Sequence, residues 1–134
     1  MQIRSLVLLA GVTLGIAAAP AFAHHSFAAE YDSAKPVTLK GAVTKMEWMN
    51  PHARFYVDVK DDSGKVTNWE FELGSPNGLM RRGWTRNSLK PGDVIIVEGY
   101  LAKDGSKLAN ARNVTLTDGR KIFAGSSDDG GPQK

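Results

Sequence analysis

Three histidines are the side chains of this sequence best suited to chemistry, because imidazole is a common metal ligand and cysteine is absent. His24 and His25 are adjacent, and His52 follows an Asn-Pro pair. If processing makes His24 the first residue, its Nδ1 and its α-amine, with a pKa of about 8, can chelate one ion. Another nitrogen, from His25 or His52, would complete a tetragonal set called a histidine brace, which suits Cu(II). The pattern predicts a copper site built from His24, His25 and His52.

A purely structural explanation of these histidines stays open. His24 and His25 would then belong to a solvated arm, and His52 would cap a turn or hydrogen-bond within the domain. The sequence places only His24 with respect to the new terminus. It does not show whether the chain folds back to bring His24 to His52.

The first 23 residues predict how the new terminus arises. Arg4 supplies a positive charge, and residues 6–19 form an apolar run. Ala21 and Ala23 then place small residues where a signal peptidase accepts them. The apolar run is shorter than the roughly 18–20 residues that span a bilayer, which disfavours an uncleaved anchor. The sequence therefore predicts a signal peptide over residues 1–23, a periplasmic location and no stable membrane span after processing.

Composition limits the remaining classes of function. Residues 24–134 are enough for one domain, and the absence of cysteine means that a hydrophobic core, not disulfides, must hold it. The excess of 17 basic over 14 acidic residues is small and scattered, which argues against a nucleic-acid partner. The sequence has no H-E-x-x-H motif and no phosphate-binding glycine loop, so hydrolytic catalysis has no positive support. A copper oxidase stays open, without an identifiable substrate groove.

Alternating apolar residues indicate a β-rich domain over residues 37–123. The first strand begins at Val37, and its apolar phase slips towards Met46 and Trp48, which indicates a bulge or bend. Further strands are predicted over residues 54–60, 68–73, 94–101 and 108–116, with a short helix after Ser75 that ends near Gly83. Three strands, a helix and two strands is the order of an OB-fold, a five-stranded Greek-key barrel. A small open β-sandwich is the alternative.

The segments outside the barrel, and one face of it, give further predictions. Residues 24–36 show no steady period and are interpreted as an N-terminal arm, with Phe27 and Tyr31 as candidate anchors, and residues 124–134 as a disordered tail. The stretch before His52 lies where OB-folds often line their ligand face. The predicted contact residues near that face are Trp48, Asn50, Tyr56 and Trp84, although burial of most of the Trp48 ring is favoured. The alternative function is thus a metal-free binding module for a protein, glycan or small molecule.

Five short motifs together resemble a known family. They are H-H-S-F at 24–27, W-M-N-P-H at 48–52, W-E-F-E-L-G-S-P at 69–76, R-G-W at 82–84 and L-K-P-G-D at 89–93. This combination is similar to the bacterial family labelled domain of unknown function 6152, over residues 24–118. The resemblance implies a small exported protein with one β-rich domain and no established activity, whose histidines are the best candidates for a site.

Overall fold

The strands predicted from alternation are present in the computed structural model, which describes residues 27–126. The elements in chain order are α1 (Phe27–Glu30), β1 (Tyr31–Glu47), β2 (Arg54–Lys60), β3 (Val66–Glu72), α2 (Pro76–Met80), β4 (Val94–Ala102), β5 (Leu108–Thr115) and β6 (Lys121–Phe123). The predicted signal peptide lies outside the described residues. No helix within residues 27–126 is long and apolar enough to cross a membrane.

The strands close into a barrel of OB-like topology. Their order is β3-β2-β1-β4-β5-β6, and a parallel pairing between β3 and β5 closes a ring of five strands, with β6 beside β5. The long strand β1 serves both halves, since it pairs with β4 from Tyr31 to Ala42 and with β2 from Ala42 to Glu47. The predicted OB-like barrel is therefore confirmed, with a short sixth strand added beside β5.

The bend in β1 has a specific cause. The register with β2 shifts between Val43 and Lys45, which is the predicted bulge. At Gly41, a Cβ atom would lie 2.1 Å from the carbonyl oxygen of Asp58. Because no larger residue fits there without moving the backbone, Gly41 allows β1 to approach β2 as it turns across the barrel.

Alternate residues of the strands fill the barrel. Phe55 of β2 and Phe71 of β3 are fully buried, and their rings stack with centroids 5.2 Å apart. Helix α2 starts where the Ser75 hydroxyl accepts a hydrogen bond from the Gly78 amide, as predicted for its N-cap. Beyond the helix, Trp84 is buried, and its Nε1 donates to the Phe123 carbonyl at 2.8 Å. Trp84 thus ties β6 to the barrel.

Both flanking segments are more ordered than predicted. Residues 31–36 belong to β1 and are not an irregular arm, because Tyr31 pairs with Ala102 and the Phe27 ring packs on those of Tyr31 and Tyr100. At the other end, Ala124 is buried and its amide donates to the Arg112 carbonyl. The anchoring by Phe27 and Tyr31 agrees with the prediction. Sequence periodicity missed the strand pairing of residues 31–36 and the burial of Ala124, since each segment is short and its partners are distant in the chain. Residues 127–134 of the predicted tail lie outside the described residues.

Candidate functional site

His52 lies in the connection between β1 and β2, held beside the end of β3. The neighbouring Ala53 exchanges backbone hydrogen bonds with Leu73 and Gly74. The His52 Nδ1 lies 2.9 Å from the Leu73 carbonyl oxygen. A carbonyl only accepts, so Nδ1 carries the hydrogen and Nε2 is the nitrogen with a free lone pair in the neutral ring. Metal-binding imidazoles are commonly oriented in this way, and the His52 side chain is 30% exposed.

A buried carboxylate lies next to His52. Glu72 of β3 is 8% exposed, and its Oε1 is 3.9 Å from the His52 Nδ1. Its Oε2 accepts a hydrogen bond from the Arg54 Nη2 at 3.3 Å, and the Arg54 Nη1 also pairs with Glu70. Burial raises the pKa of Glu72 above its usual value, and its electrostatic interactions with His52 and Arg54 oppose this shift. We call Tyr31, His52, Arg54, Glu70 and Glu72 the Glu72 cluster.

Tyr31 brings the N-terminal segment into the Glu72 cluster. Its side chain is 2% exposed, and its hydroxyl approaches Glu72 without meeting hydrogen-bond geometry with any residue in 27–126. Burial, together with the charges of Glu72 and Glu30, raises the pKa of the Tyr31 phenol far above its ordinary 10.0. Asn110, opposite Glu72 in the register of β3 and β5, also has a buried Oδ1 without a partner in the described segment. The cluster therefore has unused hydrogen-bonding capacity.

The charge around this cluster favours a cation. Glu70 and Glu72 bind the single guanidinium of Arg54, and Glu30 adds a further carboxylate whose charge acts on both Glu72 and Tyr31. Even with Glu72 protonated, the remaining carboxylates outnumber the guanidinium. However, within residues 27–126 no group of three His, Cys, Asp or Glu side chains is arranged to hold a metal ion. His52 would need ligands from outside the described residues.

The Tyr31 phenol makes the stability of the fold sensitive to alkaline pH. Because its pKa is raised in the folded state, the unfolded chain releases this proton first, and stability is lost as the pH rises above about 10. We expect the free energy of unfolding of the unmodified protein to fall by about 1.4 kcal/mol per pH unit more steeply than that of Tyr31→Phe. Urea denaturation at a series of pH values measures both slopes.

The comparison of the unmodified protein with Tyr31→Phe has its own control at lower pH. Between about pH 7 and about pH 9 the phenol keeps its proton in both states, so the difference between the two proteins is expected to be constant. At these pH values the free-energy difference between the two proteins measures the contribution of the Tyr31 hydroxyl, which lies beside Glu72 without meeting hydrogen-bond geometry. Parallel slopes above pH 10 would contradict the burial of an un-ionised phenol.

The residues predicted as a contact surface do not form one surface. Trp48 is half-buried against the core, and Asn50 is exposed. Tyr56 is half-buried on the outside of β2, and its hydroxyl donates to the Glu47 Oε2 at 3.2 Å. Trp84 corrects the prediction, because it is 1% exposed and cannot face a partner. The ring belongs to the hydrophobic core, and its Nε1 bonds to the Phe123 carbonyl.

Two predicted ligands lie outside the described residues, and several residues of the Glu72 cluster were not predicted. His24 and His25 lie outside the described residues, so their positions remain predictions. Glu72 was not singled out from the sequence. Its register partner Arg54 is predictable from the β2–β3 hairpin, because the two residues face each other across it. Tyr31 and Asn110 carry no such local signal, since they reach Glu72 only when the barrel closes.

Comparison with known proteins identifies a family. Residues 12–111 match the model of a family of unknown function, DUF6152. The chain belongs to this family. The predicted resemblance is thus confirmed, but DUF6152 membership names no ligand or reaction. No curated protein matches the sequence.

The fold also has a counterpart among solved structures. The mitochondrial single-stranded DNA-binding protein Rim1 of S. cerevisiae is similar to this DUF6152 chain at 8% sequence identity and a TM-score of 0.49. The match covers 62% of this chain and 93% of the yeast protein. At this level of similarity the match carries no conclusion about function.

Proposed function

We propose that this DUF6152 protein is exported, is cleaved after Ala23, and binds copper through the new terminus and His52. His24 supplies its α-amine and Nδ1, and the Nε2 of His52 supplies a nitrogen from the barrel. His25 is the other source of that nitrogen. The observation that carries the proposal is the hydrogen bond from the His52 Nδ1 to the Leu73 carbonyl, because it leaves Nε2 available to a metal.

The path of the N-terminal segment supports a meeting of these ligands. Phe27 packs on Tyr31, and Tyr31 approaches Glu72, the neighbour of His52. His24 precedes Phe27 by three residues, which extend over at most about 11 Å. This length of chain allows His24 to reach the side of the barrel that holds the Glu72 cluster. The excess of carboxylates there would favour Cu(II) electrostatically.

A substitution at His52 tests its part in the proposal. His52→Asn keeps an N–H group near the position of Nδ1 for the Leu73 carbonyl and removes the Nε2 lone pair. We expect Cu(II) affinity to fall by at least about 10-fold, since even the loss of a group that only orients a ligand has effects of about 10–100-fold. Competitive titration with a chelator measures affinity, and electron paramagnetic resonance counts coordinated nitrogens.

A matched variant distinguishes the two histidines that could supply this nitrogen. His25→Asn makes the same chemical change at the neighbouring candidate. If His52 is the ligand, His25→Asn keeps the affinity and the nitrogen count, and His52→Asn loses one nitrogen while the thermal midpoint of unfolding changes little. The reverse pattern would assign the ligand to His25 and remove His52 from the site.

A further inference from the structure

A second site lies outside the Glu72 cluster, on the surface where β1, β4, β5 and β6 border a groove. Its volume is about 670 Å³, within the range of roughly 300–1,000 Å³ typical of small-molecule sites. The residues that matter for its chemistry are Val37, Arg82, Glu98, Tyr100, Arg112 and Phe123. None of them belongs to the Glu72 cluster or is a predicted copper ligand. We call this site the arginine groove.

Two arginines in the groove share one aromatic ring. The guanidinium carbon of Arg82 is 4.2 Å from the centroid of the Phe123 ring, and that of Arg112 is 5.2 Å from it. Stacking covers a flat face of a guanidinium and leaves N–H groups at its edge available to a planar oxyanion. Arg82 donates one of these through Nη1 to the Gly125 carbonyl at 3.3 Å, which also limits the movement of its side chain. The Phe123 ring thus holds the guanidinium groups of Arg82 and Arg112, with their N–H donors, in place.

The positive charge of the groove is not balanced by the protein around it. Among residues 27–126, neither Arg82 nor Arg112 lies within ion-pair distance of a carboxylate. The acidic residue of the groove, Glu98, pairs instead with Lys121, at 2.6 Å between Nζ and Oε2. Two cations held beside one ring repel each other, and an anion between them would remove that repulsion. Charge complementarity therefore points to an anionic ligand.

We propose that the arginine groove binds a small organic oxyanion, a carboxylate or a phosphate monoester. The charged group accepts hydrogen bonds from the guanidinium edges of Arg82 and Arg112, in the geometry that arginine offers to both anions. The carbon portion lies against Val37 and Tyr100, which line the same groove. This site is independent of copper binding, so either proposal can fail while the other stands.

Nuclear magnetic resonance with small probes tests this proposal in the full chain. Phenyl phosphate and benzoate are titrated separately, and phenol serves as an uncharged control with the same ring. We expect the amide signals of Arg112, Phe123 and Gly99 to shift with at least one of the anions, while those of His52 and Glu72 do not. Phenol is expected to give no such shifts. The two anions together distinguish a phosphate from a carboxylate preference.

Substitutions identify the groups that bind. In the double variant Arg82→Gln/Arg112→Gln, affinity for the preferred anion is expected to fall by at least about 10-fold, because two charged hydrogen-bond donors are lost. Arg86→Gln removes one exposed arginine outside the groove and is expected to change affinity by less than about 2-fold. Arg112→Lys keeps the charge but not the planar donor edge, so an intermediate loss is expected. Amide spectra of each variant verify that it is folded.

Several results would overturn the proposal. These are the absence of groove shifts with both anions, equal shifts with phenol, unchanged binding in the folded double variant, or an equal loss in Arg86→Gln. If the double variant does not fold, Arg112→Lys and the shift map of the unmodified protein decide. A chain ended at Ser126 tests a competing occupant, since Asp128 and Asp129 follow shortly after Gly125. Binding found only in that shortened chain would identify the acidic tail, instead of a separate ligand, as the occupant.

Discussion

Acetylation of the His24 α-amine is expected to lower the Cu(II) affinity of this DUF6152 protein by at least about 100-fold. The acetyl group converts the α-amine into an amide, which is a poor ligand while it keeps its proton, and leaves no other free amine at the terminus to chelate the ion. Without this chelate, the α-amine and the Nδ1 of His24 no longer bind the same ion together. The expected effect therefore exceeds the roughly 10–100-fold effects of groups that only orient a ligand.

The experiment compares two chains that differ only at the terminus. Both begin at His24, one carries an acetyl group on the α-amine, and intact mass confirms each terminus. Chelator competition gives the two affinities, and electron paramagnetic resonance gives the nitrogen count. Thermal unfolding without metal serves as the control and is expected to be the same, because the barrel strands and their core are identical in both chains. Equal Cu(II) affinities would end the proposal of a brace at His24.

Replacement of Trp84 by alanine is expected to have the largest effect on stability, a loss of about 3–5 kcal/mol in the free energy of unfolding. Trp84 is 1% exposed and packs with Leu79 and the strands in the core. Its removal leaves a cavity, and it also leaves the Phe123 carbonyl without the donor at 2.8 Å. Urea or thermal denaturation measures the loss.

A second variant separates the two contributions of this side chain. Trp84→Phe keeps most of the buried ring and lacks the Nε1–H group, so we expect a smaller loss than for alanine. Because that hydrogen bond reaches β6, the amide of Phe123 is expected to exchange with solvent faster in both variants. A Trp84→Ala protein within about 1 kcal/mol of the unmodified protein would contradict the burial of this residue.

The structure agrees with the sequence where a signal is local. Alternation predicted β1, β2 and β3, because one face of a strand is buried and its period is two, and a β-branched run predicted β4. The short strand β6 was not predicted. The Ser75 cap predicted helix α2, and the slip of phase after Val43 predicted the bulge in β1. The prediction of Trp84 as a contact residue was wrong, because tryptophan occurs both on ligand faces and in cores. Only the tertiary structure shows that it is buried in the core.

By itself, the sequence determined the order of the elements, the OB-like class of the barrel and the candidacy of the histidines. The tertiary structure alone decided which groups share a site. Glu72 and Asn110 come together because β3 pairs with β5, and Tyr31 at the start of β1 lies beside Glu72. Arg82, Arg112 and Phe123 meet because β6 returns beside β5. Such contacts join residues tens of positions apart, and no local pattern of side chains encodes them. The histidines therefore remain candidates by chemistry, whereas the Glu72 cluster and the arginine groove are products of the closed barrel.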